Sequence, residues 1–151
     1  MTLYKTLLFV HIMGAMVWVG GTIMLSFISS KIQRSGDVEL RAKFATAAGV
    51  VGPIIGVSAV LLLASGIWMV LDSDAIELSQ IWVWLGLAGF LLSAIVGATF
   101  FGPASVKIVK ALQEGQLEEA DRRANQFNKV ARFDLLLLIA IVGLMVFKPG
   151  A

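Results

Sequence analysis

LSQIWVWLGLAGFLLSAIVGATFFGPASV, residues 78–106, runs for 29 residues without one Asp, Glu, Lys or Arg. Wound as an α-helix at 1.5 Å per residue it is about 43 Å long, more than the roughly 30 Å of hydrocarbon in a bilayer. A surface helix of a soluble protein keeps a charged face for water, and this stretch has none. Its small residues keep helical register: Gly89, Ser93 and Gly97 recur every four positions, with Gly86 just before them. Such spacing lets a neighbouring helix approach closely inside a membrane.

The flanks of this stretch differ in sign. Before it lie Asp72, Asp74 and Glu77; after it come Lys107 and Lys110. The same organisation extends along the chain, because residues 6–30, 44–71 and 135–147 are also free of formal charge when His11 is neutral. Ten of the twelve basic residues fall in two connections, Lys31 to Lys43 and Lys107 to Arg132, leaving only Lys5 and Lys148 for the other side. The positive-inside bias therefore places both basic connections in the cytoplasm and both termini outside. Trp68, Trp82 and Trp84 stand beside the acidic loop, where an outer aromatic belt is expected.

These signals predict an all-α membrane protein, a four-transmembrane-helix bundle with helical cytoplasmic extensions. Residues 1–151 form one membrane domain with spans near 5–30, 48–71, 80–105 and 130–148. A composition 58% hydrophobic and 15% charged, with mean hydropathy +0.89, excludes an ordinary soluble domain. The first segment reads as a retained helix, since its apolar run is too long for a signal h-region. The basic residues flank apolar segments and form no aromatic-interleaved patch, so nucleic acid is not an expected partner. Gly52-Pro53 should open the second span and Gly102-Pro103 close the third, with kinks at both. Glu118 with Arg122 and Glu119 with Arg123 are spaced as i,i+4 pairs on a solvated helix, and Gly115 marks a turn before it.

The first span carries the most informative face. Tyr4, His11, Trp18 and Leu25 recur every seven residues, and Gly14 and Gly21 occupy the adjoining seam. A buried imidazole or indole needs a hydrogen-bond partner, so this face should point into the bundle. His11, the single histidine, admits three readings: a ring donor to the next helix, a ligand of haem iron or copper, or a proton relay. Met1, Met69 and Met145 share its half of the membrane as soft candidate ligands, although methionine also serves as core filler.

Only 13 uncharged residues separate Asp134 from Lys148, about 20 Å of helix, too short to cross the hydrocarbon alone. Arg132 and Asp134 must enter the apolar zone or the bilayer must thin. Asp134 is then either half of an anchoring ion pair, with Arg132, Arg34, Arg41 or Lys43, or a proton or ion site. There is no cysteine, which removes disulfides and thiolate chemistry. No phosphate-binding glycine loop, nucleophile elbow or catalytic carboxylate pair appears, so an enzyme is not expected.

Several strings together carry a family resemblance. Leu7-Leu8-Phe9-Val10-His11 with Met13-Gly14-Ala15 and Trp18-Val19-Gly20-Gly21, the Phe101-Gly102-Pro103-Ala104 corner, Arg132-Phe133-Asp134-Leu135-Leu136 and Lys148-Pro149-Gly150 resemble a family of small bacterial integral-membrane proteins of unknown function. That resemblance covers nearly the whole chain and implies four membrane helices, which the charge bias assigns to the bacterial inner membrane. The His-to-Trp-Gly-Gly part is also similar to the first helix of copper-resistance D-type membrane proteins and, more distantly, of membrane-bound haem-dependent protoporphyrinogen oxidases. This second resemblance implies a copper- or haem-associated role for His11 and Trp18, whereas the present chain has no second histidine. The expected function is a non-enzymatic bundle that packs in a homo-oligomer or larger membrane complex, with the bilayer as its solvent. Haem or copper binding at His11 and proton or ion passage at Asp134 are the alternatives.

Overall fold

A computed structural model describes residues 2–72 and 80–149. Met1, Asp74, Glu77 and Gly150, all used in reading the chain, lie outside the described residues. The fold is all-helical: α1 Thr2–Ser35, α2 Val38–Leu71, α3 Ile81–Val96, α4 Gly102–Gln113 and α5 Leu117–Phe147. A π-helical turn, Gly97–Phe101, joins α3 to α4 without ending the rod. Four rods result among the described residues, each long and apolar enough to cross a membrane: α1, α2, α3 through α4, and α5.

Local chemistry accounts for the turns. Gly36 takes φ +71°, a left-handed conformation that only glycine adopts at no steric cost, and reverses the chain after α1. Asp37 then caps α2, its carboxylate accepting the Leu40 N–H at 3.0 Å. Gly115, also at φ +71°, repeats this between α4 and α5. Because the cap at Asp37 sets its start, α2 runs unbroken from Val38 through Pro53 to Leu71. Pro53 thus lies inside the helix, and the segment before it is the helical extension beyond the span.

Pro103 likewise leaves its rod continuous with the helical extension beyond it. The Gly102 N–H reaches back five residues to the Gly97 carbonyl, and this widened turn lets the chain re-enter α-helix with Pro103 in the first turn of α4. Phe100 and Phe101 meet Phe127 of α5 here, with ring centroids 6.5 and 5.0 Å away.

Packing defines two ends. Gln33 bonds Asn125 and Asn128, and Arg41 pairs with Asp121, so the α1–α2 and α4–α5 turns share a basic end. The Lys148 ammonium lies 5.4 Å from the centroid of the Trp82 ring at the opposite, terminal end. α1 packs on α2 and α5, and α5 packs also on α3 and α4; α2 meets the third rod mainly through α4. Each rod sends one side chain to the centre, where Trp18, Leu62, Phe90 and Leu138 form the main core. A second core, Ala111 and Leu112 against Ala120, closes the α4–α5 hairpin at the basic end.

At about 50 Å, α1 and α2 exceed the hydrocarbon thickness by some 20 Å. Charge places that excess at the basic end. There Glu119 holds both Arg122 and Arg123, each at 2.6 Å. The expected Glu118–Arg122 pair is replaced by this i,i+3 contact, which leaves one carboxylate serving two guanidinium groups.

Candidate functional site

The seam between α1 and α2 receives His11. The Leu62 carbonyl can only accept, so the Nδ1 that lies 3.0 Å from it carries the ring proton and donates. Ser65 Oγ lies 3.4 Å from the same nitrogen and gives its own proton to the Leu61 carbonyl at 2.7 Å. Gly66 makes room for the ring: a Cβ there would stand 2.9 Å from His11 Cε1 and 3.2 Å from Nδ1. With Nδ1 committed as the donor, Nε2 is the nitrogen left free to accept or ligate whenever the ring is neutral. One turn below, Gly14 lies under the α2 backbone, where a Cβ would be 3.1 Å from the Ser58 carbonyl oxygen, and Gly21 lies against Ile55.

Trp18, on the same stripe, is buried and meets Phe90 of α3 edge-on, with centroids 4.8 Å apart and ring planes at 67°. The stripe thus faces the bundle interior. Its aromatic partner on α3 has no signature in sequence beyond being one apolar residue among many.

The seam between α3 and α5 receives Asp134, which is only 4% exposed although charged residues almost never sit so deep unless paired. Its partner is the hydroxyl of Ser93. No ion pair reaches it among the described residues: Arg41 binds Asp121, Lys43 binds Glu39 at 2.7 Å, and Arg132 is exposed. The anchoring salt bridge at Asp134 is therefore replaced by a neutral donor, and its Oδ1 has no hydrogen-bond partner. Arg132, two residues earlier on the helix, projects from another face, which is why the pair cannot form within α5. Higher on the same seam, Gly89 admits Ile141 and Gly86 admits Met145. Gly97, expected to continue this face, lies in the π-helical turn instead, where a Cβ would meet nothing within 4 Å.

At the terminal end Trp68 and Trp84 are each 56% exposed, whereas Trp82 is 4% exposed and turned inward. Of the three tryptophans expected in an outer aromatic belt, Trp82 is thus withdrawn from the surface. Met69 is buried and Met145 packs over Gly86, so both methionines have packing roles in the structure. No group of three or more His, Cys, Asp or Glu side chains is arranged to hold a metal ion among the described residues.

Sequence spacing brought out the His11 and Asp134 faces, while their partners, Leu62 with Gly66 and Ser93, lie 51 or more and 41 positions away in the chain. No short-range signal links such distant positions. Comparison with curated proteins and with solved structures finds no match. A family model does match residues 5–149, nearly the whole length, and agrees with the four apolar rods. The chain belongs to the family described as "Predicted integral membrane protein (DUF2269)".

Proposed function

We propose that this integral membrane protein is a non-enzymatic subunit that assembles with another membrane helix, from a second copy or a larger complex, through the outer face of α2. One observation carries the reading: Gly49, Gly52 and Gly56 share an exposed face of that helix, and a Cβ at any of them would meet nothing within 4 Å. Glycine costs a helix about 1 kcal/mol relative to alanine, and nothing among the described residues recovers that cost here. A close-approaching neighbour would. Crosslinking in native membranes tests this. Gly52→Leu with Gly56→Leu should abolish crosslinked species while leaving helix content unchanged, whereas a strictly solitary wild-type chain would remove the proposal. The positive-inside bias of the two basic connections separately supports our proposal that the chain lies in the bacterial inner membrane with both termini outside.

A second reading, proton or ion passage, is favoured by the buried Asp134 oxygen that lacks a partner. Asp134→Asn should then abolish flux in proteoliposomes with the fold intact; equal flux in the variant ends that reading. The haem or copper alternative rests on the Nε2 of His11 and on the fixed orientation that its Nδ1 bond supplies. A visible spectrum and metal analysis of gently purified protein test it, and absence of both a Soret band and copper counts against it.

A further inference from the structure

We propose that the cleft between α1 and α5 at the basic end binds the phosphate headgroup of an anionic phospholipid. The cleft has a volume of about 520 Å³, and Arg34, Lys129 and Arg132 line it from the two helices. None of these three cations has an acidic partner among the described residues. The single carboxylate in the lining, Asp121, is already engaged by Arg41 from α2. Three positive charges therefore face one space without internal compensation.

The neutral part of the wall is organised before any ligand arrives. Gln33 donates from Nε2 to Asn125 Oδ1 at 3.1 Å and accepts from Asn128 Nδ2 through its own oxygen. This amide chain ties α1 to α5 and holds the cleft's width, so an anion entering it need not order the helices. Guanidinium groups match phosphate oxygens in a planar fork, and two of the three cations are arginines.

Depth argues for a lipid rather than a dissolved anion. Arg34 lies four residues beyond the uncharged run that ends at Ser30, and Arg132 two residues before Asp134, so both stand at the hydrocarbon boundary. Phe27 and Phe133, at the adjoining levels, are 62% and 64% exposed, and the Lys31 ammonium lies 5.1 Å from the centre of the Phe27 ring. Apolar side chains beside a basic pocket suit acyl chains attached to the bound phosphate.

The test uses the full chain in neutral detergent, titrated with dioleoylphosphatidylglycerol, dioleoylphosphatidylcholine or inorganic phosphate, and read by native mass spectrometry and thermal unfolding. Phosphatidylglycerol should be retained and raise Tm, with no comparable effect of the other two. Lys129→Gln and Arg132→Gln should each weaken retention about fivefold, the weight of one cation at an anionic surface. Lys107→Gln, which removes an equal charge outside the cleft, should leave it unchanged. Arg34→Gln reports from the opposite wall if an α5 variant fails to retain its helical circular dichroism. Equal binding of phosphatidylcholine, equal loss in Lys107→Gln, or reproduction of the Tm shift by inorganic phosphate would each overturn the proposal.

Discussion

His11 and Gly66 form a matched pair in which the absence of one side chain makes space for another. Gly66→Ala should displace the ring, break the bond to Leu62 and cost on the order of 1–3 kcal/mol in detergent unfolding. In a His11→Ala background the same substitution should cost little, because the clash has gone. Additive effects in that double-mutant cycle would show that the ring and the glycine are not coupled. Ser93 and Asp134 make a second pair with the opposite logic, a polar group supplied to one that is already buried. Ser93→Ala removes that partner and should cost about 1–3 kcal/mol, whereas in an Asp134→Leu background it should be close to neutral. Similar losses in both backgrounds would argue against the hydrogen bond as the source.

Between elements, what a glycine faces decides what it contributes. At Gly14 a Cβ would press on backbone, 3.1 Å from Ser58 O and 3.3 Å from Leu62 N, and neither can move without shifting α2. At Gly86 the obstruction, although closer, is the terminal methyl of Met145, which can turn aside. Gly14→Ala is therefore expected to separate α1 from α2 and lower Tm by several degrees, on the order of 1–3 kcal/mol. Gly86→Ala should change it little. The reverse order of Tm values would contradict this account of the two seams. The π-helical turn before α4 illustrates the same scale: one rod changes its hydrogen-bond pattern for five residues, so that Pro103 can follow without ending it.

Across the whole molecule, the four-sided apolar core around Trp18 and the polar ties of the basic end both help to hold the rods together. Arg41, only 9% exposed, reaches from α2 to Asp121 of α5, and its partner is 52% exposed. Because half of that pair is solvated, Arg41→Ala should cost only about 1 kcal/mol, and the loss should shrink as salt is added. A salt-independent loss would point to packing of the arginine stem instead. Topology can be checked directly because the chain has no native cysteine. In intact cells an impermeant maleimide should label Lys5→Cys and spare Lys110→Cys, and the opposite pattern would invert the orientation.

Charge-free length and helical spacing, both local properties, were enough to read four membrane helices, the basic extensions and the inward stripe of α1. A residue's distance from the nearest charge sets whether hydrocarbon can accept it, and that needs no knowledge of its neighbours in space. Helix ends were less legible, since the kinks expected at Pro53 and Pro103 do not say where a rod begins: Asp37 caps α2 well before Pro53, and a widened turn carries the third rod into α4. Partners within one helix were legible, as Glu119 with Arg123 shows, whereas partners across helices were not. That Asp134 is answered by Ser93 rather than by an arginine, that Trp82 turns inward while Trp68 and Trp84 face out, and that Arg41 belongs to Asp121 follow from which helix packs beside which. Sequence determined what each helix could bury, because burial depends on composition along one axis. Tertiary structure alone decided what each buried group would meet, because that depends on the relative rotation and depth of helices far apart in the chain.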